Sequence, residues 1–338
     1  MITTRFTELV GCRVPIQQAG MGAVASPELA AAVSEAGGLG MLGTARRGLT
    51  APALEGLLEQ VRARTGRPFG VNFVVSPWHL HGGRGRTPFD LKCIEIAAKA
   101  ARVVEFFYAD PTLEFVKMAH DGGALACWQV GSRDEAVAAV ELGADLLVAQ
   151  GIEAGGHVRG KIGLMALLGE VLGAVDVPVL AAGGIGTGRA MAAALAAGAD
   201  GVRVGTRFVA ASESGAHPRY VEALIAARAQ DTIYTEAFSA TWPDAPHRVL
   251  RSAIAAAEAF QGDTVGEATS LDGTRFPVLR FASFGVDRTT TGAIEAMSLW
   301  AGESVSGVTR VQPASEIVRE LADEAERLLT SRTTQSAP

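Results

Sequence analysis

The sequence predicts an α/β protein folded as a (β/α)8 barrel, with a mainly helical excursion after the eighth strand. Two observations carry this reading. First, one unit recurs: a small-residue helix ends at a glycine and leads into a short apolar strand that itself ends in glycine. It stands as EAVAAVELGADLLVAQG (135–151) and MAAALAAGADGVRVG (191–205), and more loosely as ELAAAVSEAGGLGMLG (28–43) and FVKMAHDGGALACWQVG (115–131). Glycine just past the last helical residue is a C-cap signal. Second, the strand parts show no polar alternation, as expected for strands buried on both faces. Helix followed by buried strand, repeated, gives parallel βα units.

Eight candidate strands follow in order: 14–18, 39–42, 70–74, 103–107, 125–129, 146–149, 179–182 and 202–204. Helices fit between them. Ser26-Pro27 is an N-cap residue followed by proline at the first helical position. Others begin near Ala51, Phe89, Pro111, Arg133, Gly163 and Gly188. An open doubly wound sheet is the alternative, but no GxGxxG follows the first strand. A TIM barrel accounts for residues 1–207 and, through closing C-terminal helices, 287–330. Residues 208–286 read as a mainly helical subdomain capping the mouth. Helical patterns cover 217–229 and 317–329, and 331–338 read as a disordered tail.

Composition narrows the function classes. The chain has 338 residues, 48% of them hydrophobic, with a net charge of −6. That supports a large core and, without a long basic run, argues against a nucleic-acid partner. Cys12, Cys93 and Cys127 are odd in number, far apart and without CxxC, which fits packing roles in a reducing compartment. No stretch has the length and apolarity of a membrane span, and the N-terminus lacks an apolar signal core. The expectation is a cytoplasmic protein. Alanine-rich helix faces leave internal packing and a homo-oligomer both open.

In barrel enzymes the active site lies at the C-terminal ends of the strands, often with a phosphate site after strands seven and eight. Strand seven here ends in AAGGIGTG, placing Gly183 and Gly184 before a helix; strand eight ends in RVGTRF, placing Gly205 and Thr206 in the next loop. Glycine lets backbone N–H groups approach an anion, and a helix N-terminus adds partial positive charge. Two tight turns without a ligand are the bland alternative. At the other strand ends stand Gly20, Met21 and Gly22, then Asn72, then Gln129. Amides, small residues and a methionine suit a large flat heterocycle with mixed donors and acceptors. A phosphosugar enzyme would place Lys, Asp and Glu there, and these are sparse. The combination favours a flavin mononucleotide, FMN.

His157, in AQGIEAGGHVRG (149–160), lies just past strand six on the same mouth. Imidazole titrates near neutrality and suits acid–base work. Gly155, Gly156 and Gly160 would let its loop bend closely over a cofactor. His79 and His81 are read as lining a loop over the mouth, because further ligands at metal-binding spacing are lacking; no metal is expected. Tyr108 and Asp110 stand where they could touch substrate or serve structure.

PIQQAGMG, AGGLGMLG, PFGVNF, AQGIEAGGHVRG, PVLAAGGIGTG and GVRVGTRF, in this order, resemble the nitronate monooxygenase (2-nitropropane dioxygenase-like) family. The related FMN-dependent enoyl-acyl-carrier-protein reductase II shares nearly all of them. The resemblance covers roughly residues 8–235, with a weaker echo in LWAGESVSGV (299–308). It implies an FMN-containing barrel with His157 at the active site. Gly20, Met21, Gly22, Asn72 and Gln129 would line the ring and ribityl chain, and Gly183, Gly184, Gly205 and Thr206 would hold the phosphate. It further implies one of two activities. In the first, a nitronate is oxidised with O2 to a carbonyl compound and nitrite, His157 deprotonating a neutral nitroalkane first. In the second, NAD(P)H serves as transient reductant and the substrate is an acyl thioester. The chain departs from the family twice. It reads Ala301-Gly302-Glu303 where the family commonly has AGQ, so a carboxylate near the flavin would disfavour extra negative charge on the ring. It also has only three tyrosines, Tyr108, Tyr220 and Tyr234. A non-redox phosphosugar lyase or isomerase, and a non-catalytic flavin binder, stand as competing classes.

Overall fold

The computed structural model describes residues 2–76 and 89–333. Its centre is a parallel sheet of eight strands: β1 (Ile16–Gln18), β2 (Gly40–Gly43), β3 (Phe69–Val74), β4 (Val103–Phe107), β5 (Leu125–Val130), β6 (Leu146–Gln150), β8 (Val179–Ala182) and β9 (Gly201–Val204). Strand β7 is the two-residue Gly156–His157, in the loop after β6. The strands run β1-β9-β8-β6-β5-β4-β3-β2. The two ends meet through a parallel Gln17–Leu39 bridge, with Gln18 N–H donating to Leu39 O at 3.0 Å. The sheet is therefore a closed (β/α)8 barrel.

The helices start where the sequence caps them. Ser26, Thr50, Ser132 and Thr187 each accept a hydrogen bond from the backbone N–H three residues on, opening Pro27–Ala36, Ala51–Arg62, Arg133–Glu141 and Gly188–Ala196. Alternate strand residues face these helices. Val71 and Phe73, Val104 and Phe106, Ala126 and Trp128, Leu147 and Ala149 are all buried in that outer core. The intervening residues face inward. Met41, Val103, Cys127, Leu146, Val148 and Leu180 pack against Phe6 and Val10 of the N-terminal helix Arg5–Val10, which plugs the barrel. The plug sits at the N-terminal end of the strands, because Thr4 and Arg5 bond to Asp200, just before β9.

The segment after the barrel differs from the expected mainly helical excursion. Besides helices Pro218–Ala226 and Arg251–Ala259 it carries β10 (Thr232–Thr235), β11 (His247–Leu250), β12 (Thr264–Thr269) and β13 (Arg275–Leu279). β11 lies between β10 and β7 in one antiparallel sheet; β12 lies between β13 and β14 (Thr291–Gly292) in another. These strands are short and rich in Thr and Val, which suits a half-buried sheet. A second core packs with them, built from Val24 and residues between Val209 and Val308, Phe238, Val249 and Leu299 among them. The last helix runs Ala314–Thr333, longer than expected in both directions; it takes in the first residues assigned to a disordered tail. Among the described residues no helix is long and apolar enough to cross a membrane.

Phe6 is fully buried inside the barrel. Phe6→Ala is expected to lower the unfolding free energy by about 3–5 kcal/mol, read by urea denaturation, because the closed strands cannot collapse onto the cavity.

Candidate active site

Towards the C-terminal ends of the strands the inward-facing residues change from apolar to polar. Gln17, Asn72, Glu105, Gln129, Gln150 and Arg203 are all buried there. Glu105 is the hub. It accepts from Asn72 Nδ2 at 2.7 Å and Gln17 Nε2 at 2.9 Å, and pairs with Arg203 Nη2 at 2.8 Å. Yet Gln17 Oε1, Gln129 Oε1, Gln150 Oε1 and Arg203 Nε are buried without a hydrogen-bond partner. An unmade bond at such a group costs about 1–3 kcal/mol, and folded proteins leave few of them. Four on the inside of one barrel, near its mouth, mark a floor shaped to receive a ligand bearing both donors and acceptors.

The sequence-predicted glycine segments gather around this floor. Gly20 lies so close to Asn72 that an added Cβ would stand 2.3 Å from the Asn72 Cβ. Met21 touches both the barrel core and the second core, and Gly22 packs on the Ala45 carbonyl. Gly183 and Gly184 take φ of +114° and +68°, backbone that favours glycine. The C-terminal loop completes the ring of loops. Gly302 N–H donates to Thr206 Oγ1 at 3.0 Å, beside Gly205. A Cβ on Gly155 would stand 2.4 Å from Gly302 N, so these two backbones pack directly on one another.

His157 is held from several sides. β7 pairs antiparallel with β11, setting His157 opposite His247 and Gly156 opposite Arg248. The imidazole stacks on Trp242, with ring centroids 4.0 Å apart and 29° between planes. Trp300 lies 5.1 Å away and Tyr108 5.9 Å edge-on. Nε2 and Ser283 Oγ are hydrogen-bonded at 3.2 Å. Two residues on, Arg159 straps the loop to Glu135 at 2.8 Å and to Asp110. That pairing gives Asp110 a structural role. Tyr108 sits at φ +71°, and burial raises its phenol pKa. The result is a partly buried imidazole inside an aromatic wall, beside the polar floor through Gln150 Nε2, which donates to His157 O at 3.2 Å.

Glu303 is not a bare carboxylate. Arg248 Nη1 lies 3.2 Å from Glu303 Oε1, while Arg248 Nε and Nη2 each donate to Ile152 O at 3.0 Å. The charge is neutralised, and the same arginine ties the His157 loop to the C-terminal loop. Burial pushes the Cys12 thiol up to about 12 and Cys93 up to about 11, in keeping with packing roles. His79 and His81 lie outside the described residues. Ser283, Trp242, His247 and Arg248 escaped sequence reasoning because they come from the excursion, distant in sequence. Glu105 and Arg203 did give a signal: each is the single charge in an otherwise apolar strand, VVEFF and GVRV.

A family model described as nitronate monooxygenase matches residues 3–324. The chain is similar to a nitronate monooxygenase of Pseudomonas aeruginosa, 34% identical over 96% of this chain and 99% of that one. It is also similar to a Rhodococcus jostii enzyme, (3aS,4S,5R,7aS)-5-hydroxy-7a-methyl-1-oxo-octahydro-1H-indene-4-carboxyl-CoA dehydrogenase. There the identity is 36% over 74% of this chain, and the match spans only 66% of that relative's length. Among solved structures, FabK of Thermotoga maritima superposes with a TM-score of 0.78 at 28% identity, over 99% of this chain and 100% of that one.

Two outcomes follow from the geometry. Gly155→Ala is expected to destabilise the protein by about 1–3 kcal/mol, read by thermal melting, because the new methyl meets backbone. His247 is fully buried, with Nδ1 bonded to Ala245 O at 2.9 Å and Nε2 accepting from Phe238 N–H at 3.2 Å. Burial lowers its pKa, so the folded state holds it neutral. The unfolded chain then binds the extra proton, and this contribution to stability is present above about pH 6.5 and lost below it. Melting from pH 8 to 5 should show wild type losing stability relative to His247→Gln as the pH falls.

Proposed function

The chain belongs to the nitronate monooxygenase family, and from that premise we propose that this oxidoreductase is FMN-dependent and oxidises alkyl nitronates with O2 to carbonyl compounds and nitrite. The observation that carries the reading is the set of buried, unpartnered polar atoms inside the barrel, which Gln150 links to His157 O. They fit an isoalloxazine ring, whose edge alternates carbonyl acceptors with an N–H donor. Gln17, Asn72, Gln129 and Gln150 would meet that edge. Gly20, Met21 and Gly22 would lie along the ring, with Gly155 and Gly156 behind it. Gly183, Gly184, Gly205 and Thr206 would take the phosphate through backbone N–H groups and one hydroxyl, with Gly302 and Glu303 bordering the site. Bound there, FMN supplies the electron acceptor for oxidation at the substrate carbon.

The chain's own residues account for proton handling and access. His157 takes the proton from the carbon beside the nitro group when the substrate arrives as a neutral nitroalkane. A nitronate arrives without that proton. Ser283 Oγ, bonded to Nε2, sets the plane of the imidazole. Trp242, Trp300 and Tyr108 give the approach an apolar wall that excludes water. In this reading residues 1–207 and 287–330 hold the cofactor and 208–286 shape the substrate side.

The Rhodococcus relative's name supports a second reading, in which the substrate is an acyl thioester and NAD(P)H is a transient reductant. Anaerobic mixing separates the two. A nitronate alone should bleach the flavin under the first reading; bleaching by NADH or NADPH and not by a nitronate would favour the second. For the first, His157→Asn should lose at least about 100-fold in kcat/KM with neutral nitroalkanes, the scale of general-base catalysis. It should retain most activity with preformed nitronates, measured as nitrite release. Equal losses with both substrate forms would contradict the base role.

A further inference from the structure

The buried carboxylate of Glu105 is not one of the residues assigned above to cofactor or substrate, and a barrel interior is a costly place for it. Its surroundings are specific. Three donors converge on its two oxygens: Asn72 Nδ2 at 2.7 Å, Gln17 Nε2 at 2.9 Å and Arg203 Nη2 at 2.8 Å. Cys127 Sγ stands at 3.9 Å from the same group. Glu105 has no exposed surface and Arg203 is 7% exposed. Yet the partners are only half used, since Gln17 Oε1 and Arg203 Nε are buried without a hydrogen-bond partner. A pair kept only for stability would be expected to satisfy its neighbours completely.

An ionised carboxylate accepts and never donates, so every polar neighbour must turn a donor towards it. An amide can present either end, and which end it presents decides what it can recognise. With the NH2 groups of Asn72 and Gln17 drawn onto Glu105, their oxygens are turned away from it. We propose that Glu105 is a positioning residue that fixes the hydrogen-bond polarity of the barrel floor, so that the floor recognises a flavin ring. This rests on the FMN reading above. Arg203 is the counter-charge paired with Glu105 inside the barrel. Glycine at position 20 serves the same end, because a Cβ there would collide with the Asn72 side chain.

Glu105→Gln tests this at nearly constant volume. The new amide brings an NH2 group to a place where three donors already converge. Asn72 or Gln17 must then turn over and offer a donor where an acceptor stood. The double variant Glu105→Gln/Arg203→Gln removes both charges together, so no unpaired charge is left buried. FMN affinity is measured by quenching of flavin fluorescence, the midpoint potential of the bound flavin by dye titration, and folding by thermal melting. Both variants are expected to bind FMN at least tenfold more weakly than wild type, with a shifted potential in the fraction that binds. Binding within twofold of wild type, at an unchanged potential, would overturn the proposal and leave the FMN reading intact. Failure of both variants to fold would assign the network to stability alone and overturn it too. Wild-type protein that binds no FMN would end the flavin reading, and this proposal with it.

Discussion

A polar group inside a closed barrel has no water to turn to, and that constraint organises the molecule. The lower barrel solves it by using apolar residues only, plugged by Phe6 and Val10. The upper barrel does not. There Glu105, Arg203 and four side-chain amides share one interior, and their bonds to one another leave atoms over. An arrangement with leftover donors and acceptors is unfavourable for folding alone. The FMN proposed above would supply the missing partners.

The rest of the structure brings chemistry to that floor and keeps it dry. The loops after β6 and β8 meet the C-terminal loop by backbone-to-backbone contact, at Gly155 against Gly302 and at Gly186 against Ser304 and Gly307, and the loop after β9 meets it through Thr206 Oγ1. Arg248 reaches from β11 to Ile152 O and Glu303, so the excursion, the His157 loop and the C-terminal loop are tied at one guanidinium. The planar fork of arginine makes such a three-way tie possible. The aromatic rings around His157 come from three separate stretches of chain: Tyr108, then Trp242 with His247, and Trp300.

Much of this is legible in the sequence, for identifiable reasons. Strands 103–107 and 179–182 stand as Val103–Phe107 and Val179–Ala182 in the structure, because a doubly buried strand leaves an apolar run, broken in the first by Glu105 alone. Helix starts at Ala51, Arg133 and Gly188 follow from Thr50, Ser132 and Thr187 as caps. His157 is legible because it follows a strand whose end must face the mouth. The strands of the excursion are not. TIYT and HRVL are four residues each, and the second partner of HRVL is a two-residue strand hidden in a glycine loop. Ser283 and Trp242 carry no local signal, since their role depends on a tertiary contact with a residue over eighty positions away. Glu105 and Arg203 were readable in principle. A lone charge in a strand buried on both faces needs an opposite charge on another such strand.

If FMN binds on this floor, the unpartnered amides receive its ring. The direct measurement is the side-chain amide NMR spectrum of protein labelled at glutamine, followed as FMN is added. The resonances of Gln17, Gln129 and Gln150, assigned by single substitution, should shift together and stop moving at one FMN per chain. FMN binding that leaves all three unchanged would contradict it.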